Sequence, residues 1–395
     1  MSKVIFCAER NFPAGDAGAN RILYMAKALL DGGMSVKVFA MGQNKDENWD
    51  EETGHFLYKD VPYNNVPEYR LGKIGRIVRR IMAPSSIKKL LMQEKLGSGD
   101  KIIVYQPSKR FAETILNYVN KKTDAEVIFD IVEWHQPFQY AKGERDWRYK
   151  EEKYCFEKIY PQQKKLIVIS SYLKEYFEKL GCQASVIPIY VDSTDSVYKR
   201  KKTDNRLNLI YPGNPYRKDA FSTMIQALDL LSDEERKRVV LHSTGVTKDL
   251  LLKCAEDNAE LLGQMLENGT IVAHEWMDYE ELMRLYQEMD FALIARDTNI
   301  VTKANYPSKV PELMNKGIPV LISRVGDIVA DLIDNENAIL FDPDSSEACM
   351  VAIQHALKMS DDEIMNMHNQ AKLCSKSKFD YRLHIDELKN ALISE

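Results

Sequence analysis

The stretch Asn305-Tyr306-Pro307-Ser308-Lys309-Val310-Pro311-Glu312, continuing through Gly317 into the apolar run Ile318 to Ile322, reads as a loop, a short helix and a buried strand. Ser308 is placed to cap the helix, Glu312 falls in or near its first turn, and Gly317 ends it. Free N–H groups at a helix start, with Lys309 beside them, suit a diphosphate. Glu312, one turn further on, could accept two hydrogen bonds from a sugar diol. Taken alone, the same residues favour a plain capped helix with a solvated lysine.

Three other segments carry residues with chemical potential. After a strand at Val4 to Ala8 comes Pro13-Ala14-Gly15-Asp16-Ala17-Gly18-Ala19-Asn20-Arg21, a glycine-containing loop entering a helix. It departs from the dinucleotide fingerprint in its glycine spacing, and no acidic residue ends the next strand at Val36 to Ala40. A plain tight turn explains these glycines as well as a binding role does. After Leu207 to Tyr211 comes a second glycine turn, Pro212-Gly213-Asn214-Pro215-Tyr216-Arg217-Lys218-Asp219, with a basic pair before a helix. Asp130-Ile131-Val132-Glu133-Trp134-His135-Gln136-Pro137 puts a carboxylate, an aromatic and an imidazole at the carboxyl end of a strand, where active-site groups of open α/β sheets lie. Glu133 could orient a hydroxyl or take its proton. The alternative is a helix-capping Glu133 and a structural His135.

These segments need a scaffold, and the pattern predicts one. Strands at Val4 to Ala8, Ser35 to Ala40, Ile102 to Tyr105, Val127 to Val132, Leu166 to Ser170 and Ser185 to Ile189 alternate with helices at about Ala17 to Asp31, 84–96 and Ala112 to Lys121. A second series runs through strands at Leu207 to Tyr211, Arg238 to His242, Thr270 to Val272, Phe291 to Ile294 and Ala338 to Phe341. Its helices fall near Ala220 to Leu231, Lys248 to Leu261, Tyr279 to Met289 and Ser346 to Met359, and a charged helix from about Asp380 to Leu392 closes the chain. Alternation of this kind implies an α/β fold with parallel sheets covered on both faces. The polar run Val191 to Asn205 reads as a linker, dividing an N-terminal domain (1–195) from a C-terminal one (204–375), with 376–395 as a terminal helix.

Pro307-Ser308-Lys309-x-x-Glu312, then Gly317-x-Pro319-Val320-Leu321-x-Ser323, Gly326 and the ending at Phe341, resemble the C-terminal domain of retaining, nucleotide-sugar-dependent glycosyltransferases of the GT-B architecture (glycosyltransferase group 1, glycogen-synthase-like). The resemblance implies two Rossmann-like doubly wound domains facing across a cleft, with the C-terminal helix returning to the first domain. It implies that Ser308, Lys309 and Glu312 bind the donor, Glu312 at the ribose. The usual form carries an earlier glutamate on the same segment, and here that position is Ala304. The family places a phosphate-binding lysine at Lys218 and often an arginine where Asn214 stands, so that Arg217 or Arg296 would supply the charge beside Gly213. It brings the backbone of the first glycine loop to the donor, at Gly18 with Asn20 and Arg21 following. It makes His274, Glu275 and Met277 the nucleobase region. Asp130 to Glu133 with the following aromatic resembles bacterial capsule and exopolysaccharide transferases, in which Glu133 would serve the acceptor and His135 the donor sugar or phosphate.

Composition narrows the remaining choices. The chain has 395 residues, enough for two domains, with 45% hydrophobic and 29% charged residues and a net charge of −5, which gives no reason to expect nucleic acid. No apolar run approaches the ~20 residues needed to span a bilayer, and the start runs straight into a strand without a signal peptide. Six scattered cysteines argue for reduced thiols in a cytoplasmic setting. Residues 70–95 are basic and amphipathic (Arg70, Lys73, Arg76, Arg79, Arg80, Lys88, Lys89, Lys95), fitting either a peripheral contact with the inner face of a membrane or a solvated helix face. No metal ligand set is evident, and no cofactor beyond a UDP- or GDP-linked sugar as co-substrate is expected. The acceptor would be a saccharide or lipid-linked saccharide in cell-surface polysaccharide synthesis. The competing readings are a nucleotide-sugar 2-epimerase of the same architecture and a non-catalytic saccharide- or partner-binding subunit.

Overall fold

The computed structural model describes residues 2–13, 16–42, 44–66, 72–194, 200–201, 204–213, 215 and 218–393, with the side chains of 46, 72–80 and 256 outside that description. The chain forms two compact units, one of Met1–Tyr190 with Tyr381–Glu395, the other of Val191–Asp380.

In the first unit the strands are β1 (Lys3–Asn11), β2 (Ser35–Met41), β3 (Trp49–Asp50), β4 (His55–Tyr58), β5 (Val61–Val66), β6 (Lys101–Tyr105), β7 (Glu126–Ile131), β8 (Lys165–Val168) and β9 (Gln183–Val186). They form one sheet in the order β3-β4-β5-β2-β1-β6-β7-β8-β9. Pairing is parallel from β5 to β9 and antiparallel at β3-β4 and β4-β5. β6 and β8 are buried along their length, as strands covered on both faces must be. The helices α1 (Ala17–Asp31), α2 (Gly72–Gln93), α3 (Lys109–Lys122) and α4 (Trp147–Tyr154) lie among the connections. Asp16 caps α1, its carboxylate accepting from the N–H groups of Gly18 and Ala19. Tyr381–Glu395 belongs to this unit: the helix Ile385–Leu392 packs on α1, and Lys389 donates to the Gly32 carbonyl at 3.0 Å.

The second unit holds β10 (Leu207–Pro212), β11 (Val239–Thr244), β12 (Ile271–His274), β13 (Phe291–Ile294), β14 (Val320–Ser323) and β15 (Ala338–Phe341). They form an all-parallel sheet in the order β12-β11-β10-β13-β14-β15. Leu209, Tyr211, Leu241, Phe291, Leu293 and Leu321 supply its core together with Met224, Ile225, Ile353 and Met367 from the covering helices. In both sheets the connections run outward in opposite directions from one gap, β1/β6 in the first unit and β10/β13 in the second. Loops at the carboxyl ends of strands flanking such a gap splay apart and leave a crevice for ligands.

The structure differs from the sequence expectation at several points. The segment before β5 is a hairpin: Lys59 and Asp60 turn it at φ 47° and 69°, pairing Tyr58 with Val61 and Phe56 with Tyr63. A helix at Asp361–Cys374 was not anticipated, although Ser360 and Glu363 form a capping box at its start. The closing helix begins at Ile385 rather than near Asp380, since Tyr381–His384 form a tighter turn. At the start of the expected linker, Val191 bridges Asp380 and the Ser193 N–H donates to Asp380 at 3.1 Å.

Candidate functional site

In the first unit the chemistry collects at the carboxyl ends of β1, β6 and β7. Gln106, immediately after β6, has φ 31°, a left-handed conformation that side chains adopt at a cost. Its amide oxygen accepts from the N–H groups of Val132 and Glu133 (2.8 and 3.3 Å), and its amide nitrogen donates to the Glu133 carbonyl at 3.1 Å. Gln106 thus pins the backbone that leaves β7, and the sequence reading missed it. The only signal was its place directly after a strand.

Fixed in this way, the loop sets His135 between two carboxylates. Nε2 lies 2.6 Å from Glu133 and Nδ1 2.6 Å from Glu152 of α4, and Glu152 also accepts the His135 N–H at 3.2 Å. The Tyr140 hydroxyl donates to the other Glu152 oxygen at 2.7 Å. Burial alone lowers the imidazole pKa, but the hydrogen bonds and charges of Glu133 and Glu152 outweigh it and push the pKa up to about 10. Beside this group opens a cavity of about 610 Å³, lined among others by Arg10, Tyr105, His135, Tyr140, Arg148 and Glu152. Arg10 is held by Asp16 at 2.6 Å and Arg148 by Asp146 at 2.8 Å. Trp134 turns the other way, stacking on Phe156 at 5.1 Å.

Two residues of the first glycine loop are engaged within the fold. Arg21 binds Asp130 through Nε (2.9 Å) and Nη2 (2.7 Å), and Nη1 donates to the carbonyls of Ile187 and Pro188. Both side chains are 1% exposed, so Arg21 is a buried strut beneath the sheet ends. Gly18 is buried with its open side against the chain itself: a Cβ there would lie 2.7 Å from Tyr105 Oη and 2.9 Å from Arg10 Cδ. Asn20 is exposed on α1.

In the second unit, Gly213 turns the chain at φ +87° after β10, with Lys309 Cε as the nearest atom to its open face. Lys309 Nζ donates to the Tyr211 hydroxyl (2.6 Å) and to Asp219 Oδ2 (2.7 Å), and the Tyr211 hydroxyl donates to the same carboxylate. Arg296, at the end of β13, is 1% exposed, with Nε 3.5 Å from Asp219 and Nη2 donating to Asn305. Burial would raise the Asp219 pKa, yet the Lys309 and Arg296 charges and the hydrogen bonds of Lys309 and Tyr211 bring it down to about 2. Two cations thus meet one carboxylate beside the β10/β13 gap. Asp219, visible in the sequence but given no role there, organises them. Lys218 is exposed on the preceding turn; Asn214 and Arg217 lie outside the described residues.

Lys309 opens a helix of seven residues, Lys309–Asn315. Ser308 does not cap it as expected: its backbone is already helical (φ −55°, ψ −27°) and its side chain makes no capping bond. Glu312 is half-buried, and its charge adds to the effect of burial in raising the Tyr286 pKa. Ala304 is fully buried at the end of the helix Ile300–Lys303. His274, at the end of edge strand β12, meets His242 (Nε2 to Nδ1, 2.9 Å), with Glu275 exposed and Met277 half-buried beyond it. Burial, then His274 and Arg206, push the His242 pKa down to about 4. Among the described residues, no cluster of three or more His, Cys, Asp or Glu side chains could hold a metal ion, and no helix is long and apolar enough to cross a membrane.

With this geometry in view, comparison with known proteins gives the fold its class. The chain has the GT-B fold. Solved structures sharing it end to end include Anabaena HepE with UDP and glucose (14% identity, 99% of each chain, TM-score 0.67). Sucrose-phosphate synthase from Thermosynechococcus elongatus (16%, 99% of each chain, 0.69) and TarM (11%, 100% of this chain and 99% of that one, 0.70) share it too. Residues 206–359 match the family model described as glycosyl transferases group 1, a segment that contains Gly213, Asp219, Arg296 and Lys309. No curated protein matches the chain.

Proposed function

We propose that this chain is a glycosyltransferase that moves a sugar from a nucleoside diphosphate to an acceptor hydroxyl with retention of anomeric configuration. The observation that carries the reading is the Lys309–Asp219–Arg296 cluster beside Gly213, at the gap of a doubly wound sheet and inside the segment matching the group 1 model. As the bond from the anomeric carbon to the phosphate oxygen breaks, its electron pair stays on the diphosphate, and fixed cations stabilise that charge. Glu312 takes the ribose hydroxyls. HepE was crystallised with UDP and with UDP-glucose, which favours a uridine donor. In the first unit the cavity at His135 receives the acceptor, whose hydroxyl proton passes to the departing phosphate or to Glu133. The chemistry calls for no resident metal.

The acceptor is a saccharide or lipid-linked saccharide of a cell-surface polysaccharide such as capsule or exopolysaccharide, used at the cytoplasmic face of a membrane. On α2, Ile81, Met82 and Met92 are exposed near the exposed Lys89, and each basic residue near an anionic surface is worth about 1 kcal/mol. Lys95 is exposed and Lys88 half-buried, and the remaining basic residues assigned to this role, between 70 and 80, lie outside the described side chains.

The test incubates the purified full chain with UDP-, GDP- and ADP-sugars and follows melting temperature and nucleoside diphosphate release. A ligand at a hundred times its Kd stabilises the fold by about 2.7 kcal/mol, so binding is readable without an acceptor. Lys309→Ala and Glu312→Ala should each abolish the response and the turnover. No response to any nucleotide, or unchanged turnover in both variants, would overturn the reading.

A further inference from the structure

The loop after β7 and helix α4 are joined by one side chain. Glu152 is engaged on three sides: its Oε1 accepts from both the backbone N–H and Nδ1 of His135, and its Oε2 accepts from Tyr140. A neutral imidazole carries one N–H and one lone pair. With a carboxylate oxygen 2.6 Å from each ring nitrogen, a lone pair on either side would face another lone pair, so the ring carries protons on both nitrogens.

We propose that Glu152, oriented by Tyr140, is a positioning residue that keeps His135 as an imidazolium facing Glu133. The cavity then presents a fixed carboxylate–imidazolium pair. Such a ring cannot accept a proton, which leaves Glu133 as the group of this pair able to take one from an acceptor hydroxyl. It also places a permanent positive charge among hydroxyl-binding groups.

The charged and titratable neighbours agree with this assignment. From the loop come Glu133 and Tyr140; from α4 come Glu151 and Glu152, with Arg148 5.4 Å over the Tyr140 ring; from β1 comes Arg10, close enough to interact with Glu133. Arg148 is bound to Asp146 and Arg10 to Asp16, and these pairings blunt their repulsion of the imidazolium. The raised His135 pKa follows from the same contacts.

The experiment reads the ring directly, by ¹⁵N NMR of histidine-labelled full-length protein titrated from pH 5 to pH 10, with the His135 signal assigned by its loss in His135→Asn. In the parent, His135 should remain doubly protonated past pH 8. Glu152→Gln keeps the shape and removes the charge, and should lower the midpoint by about 1–3 pH units. Tyr140→Phe, which leaves the carboxylate in place, should lower it less, and Glu152→Asp should restore part of the difference. A parent midpoint near that of an exposed histidine would overturn the proposal. So would a midpoint unmoved in Glu152→Gln, with the melting temperature showing the variant folded. Should Glu152→Gln not fold, Tyr140→Phe decides by the same criterion. The catalytic consequence rests on the transferase reading: turnover in Glu152→Gln should gain an alkaline limb that the parent lacks below pH 9. The titration needs no turnover, so failure of that reading leaves it intact.

Discussion

Lys309 Nζ lies 2.7 Å from Oδ2 of Asp219, a carboxylate 9% exposed that also faces Arg296. Removing its charge leaves two cations together, one of them buried. Asp219→Asn should therefore cost about 3–5 kcal/mol in urea unfolding. The acid dependence has a definite sign. Because the folded pKa lies near 2, below the ordinary 3.8, the group's stabilising share is complete above about pH 4 and is lost as pH falls toward 2. The melting temperature of the parent should fall across that window more steeply than that of Asp219→Asn.

At Gly18 the steric reading and the ligand reading separate experimentally. A Cβ there would sit 2.7 Å from Tyr105 Oη. If crowding alone requires glycine, Gly18→Ala should cost about 1–3 kcal/mol, and Tyr105→Phe in the same chain should recover much of it. If donor approach requires it, Gly18→Ala should weaken nucleotide binding by calorimetry with stability little changed.

For Arg21 and Asp130, bidentate and buried, breaking the pair should be worse than removing it. Asp130→Asn or Arg21→Met alone should each cost about 3–5 kcal/mol, while Arg21→Met with Asp130→Leu should cost clearly less than the sum. A denaturant double-mutant cycle measures the coupling, and additive losses would refute a shared strut.

Stability should also respond to pH through His242. Its folded pKa is near 4 against an ordinary 6.5, so the unfolded chain binds the extra proton between those values. Stability should therefore fall as pH drops from about 6.5 to 4. His368, likewise lowered to about 4 by burial, contributes in the same sense. His242→Phe should flatten part of the slope in pH-resolved thermal melts and leave the rest.

Most strands were legible because parallel strands covered on both faces must be continuous apolar runs; Phe291–Ile294 and Ala338–Phe341 match the runs read from the sequence. The β4–β5 hairpin was not, because its turn uses Lys59 and Asp60 where the usual signal is a glycine. The helix Asp361–Cys374 announced itself through Ser360 and Glu363, a signal present but unread.

In the candidate site, residue type and place in a strand–turn–helix pattern were enough to single out Gly213, Lys309, Glu133 and His135, while Arg296 entered only through the family resemblance. That much the sequence determined by itself, since glycine turns and charges at strand ends are local features. What the charges do was decided only by tertiary structure. Arg21 forms a buried strut with Asp130, Ser308 makes no capping bond, and Asp219, Gln106, Tyr140 and Glu152 acquired roles from distant partners. The physical reason is the short reach of the interactions: a hydrogen bond acts within about 3 Å, and only the folded sheets bring side chains from separate segments that close.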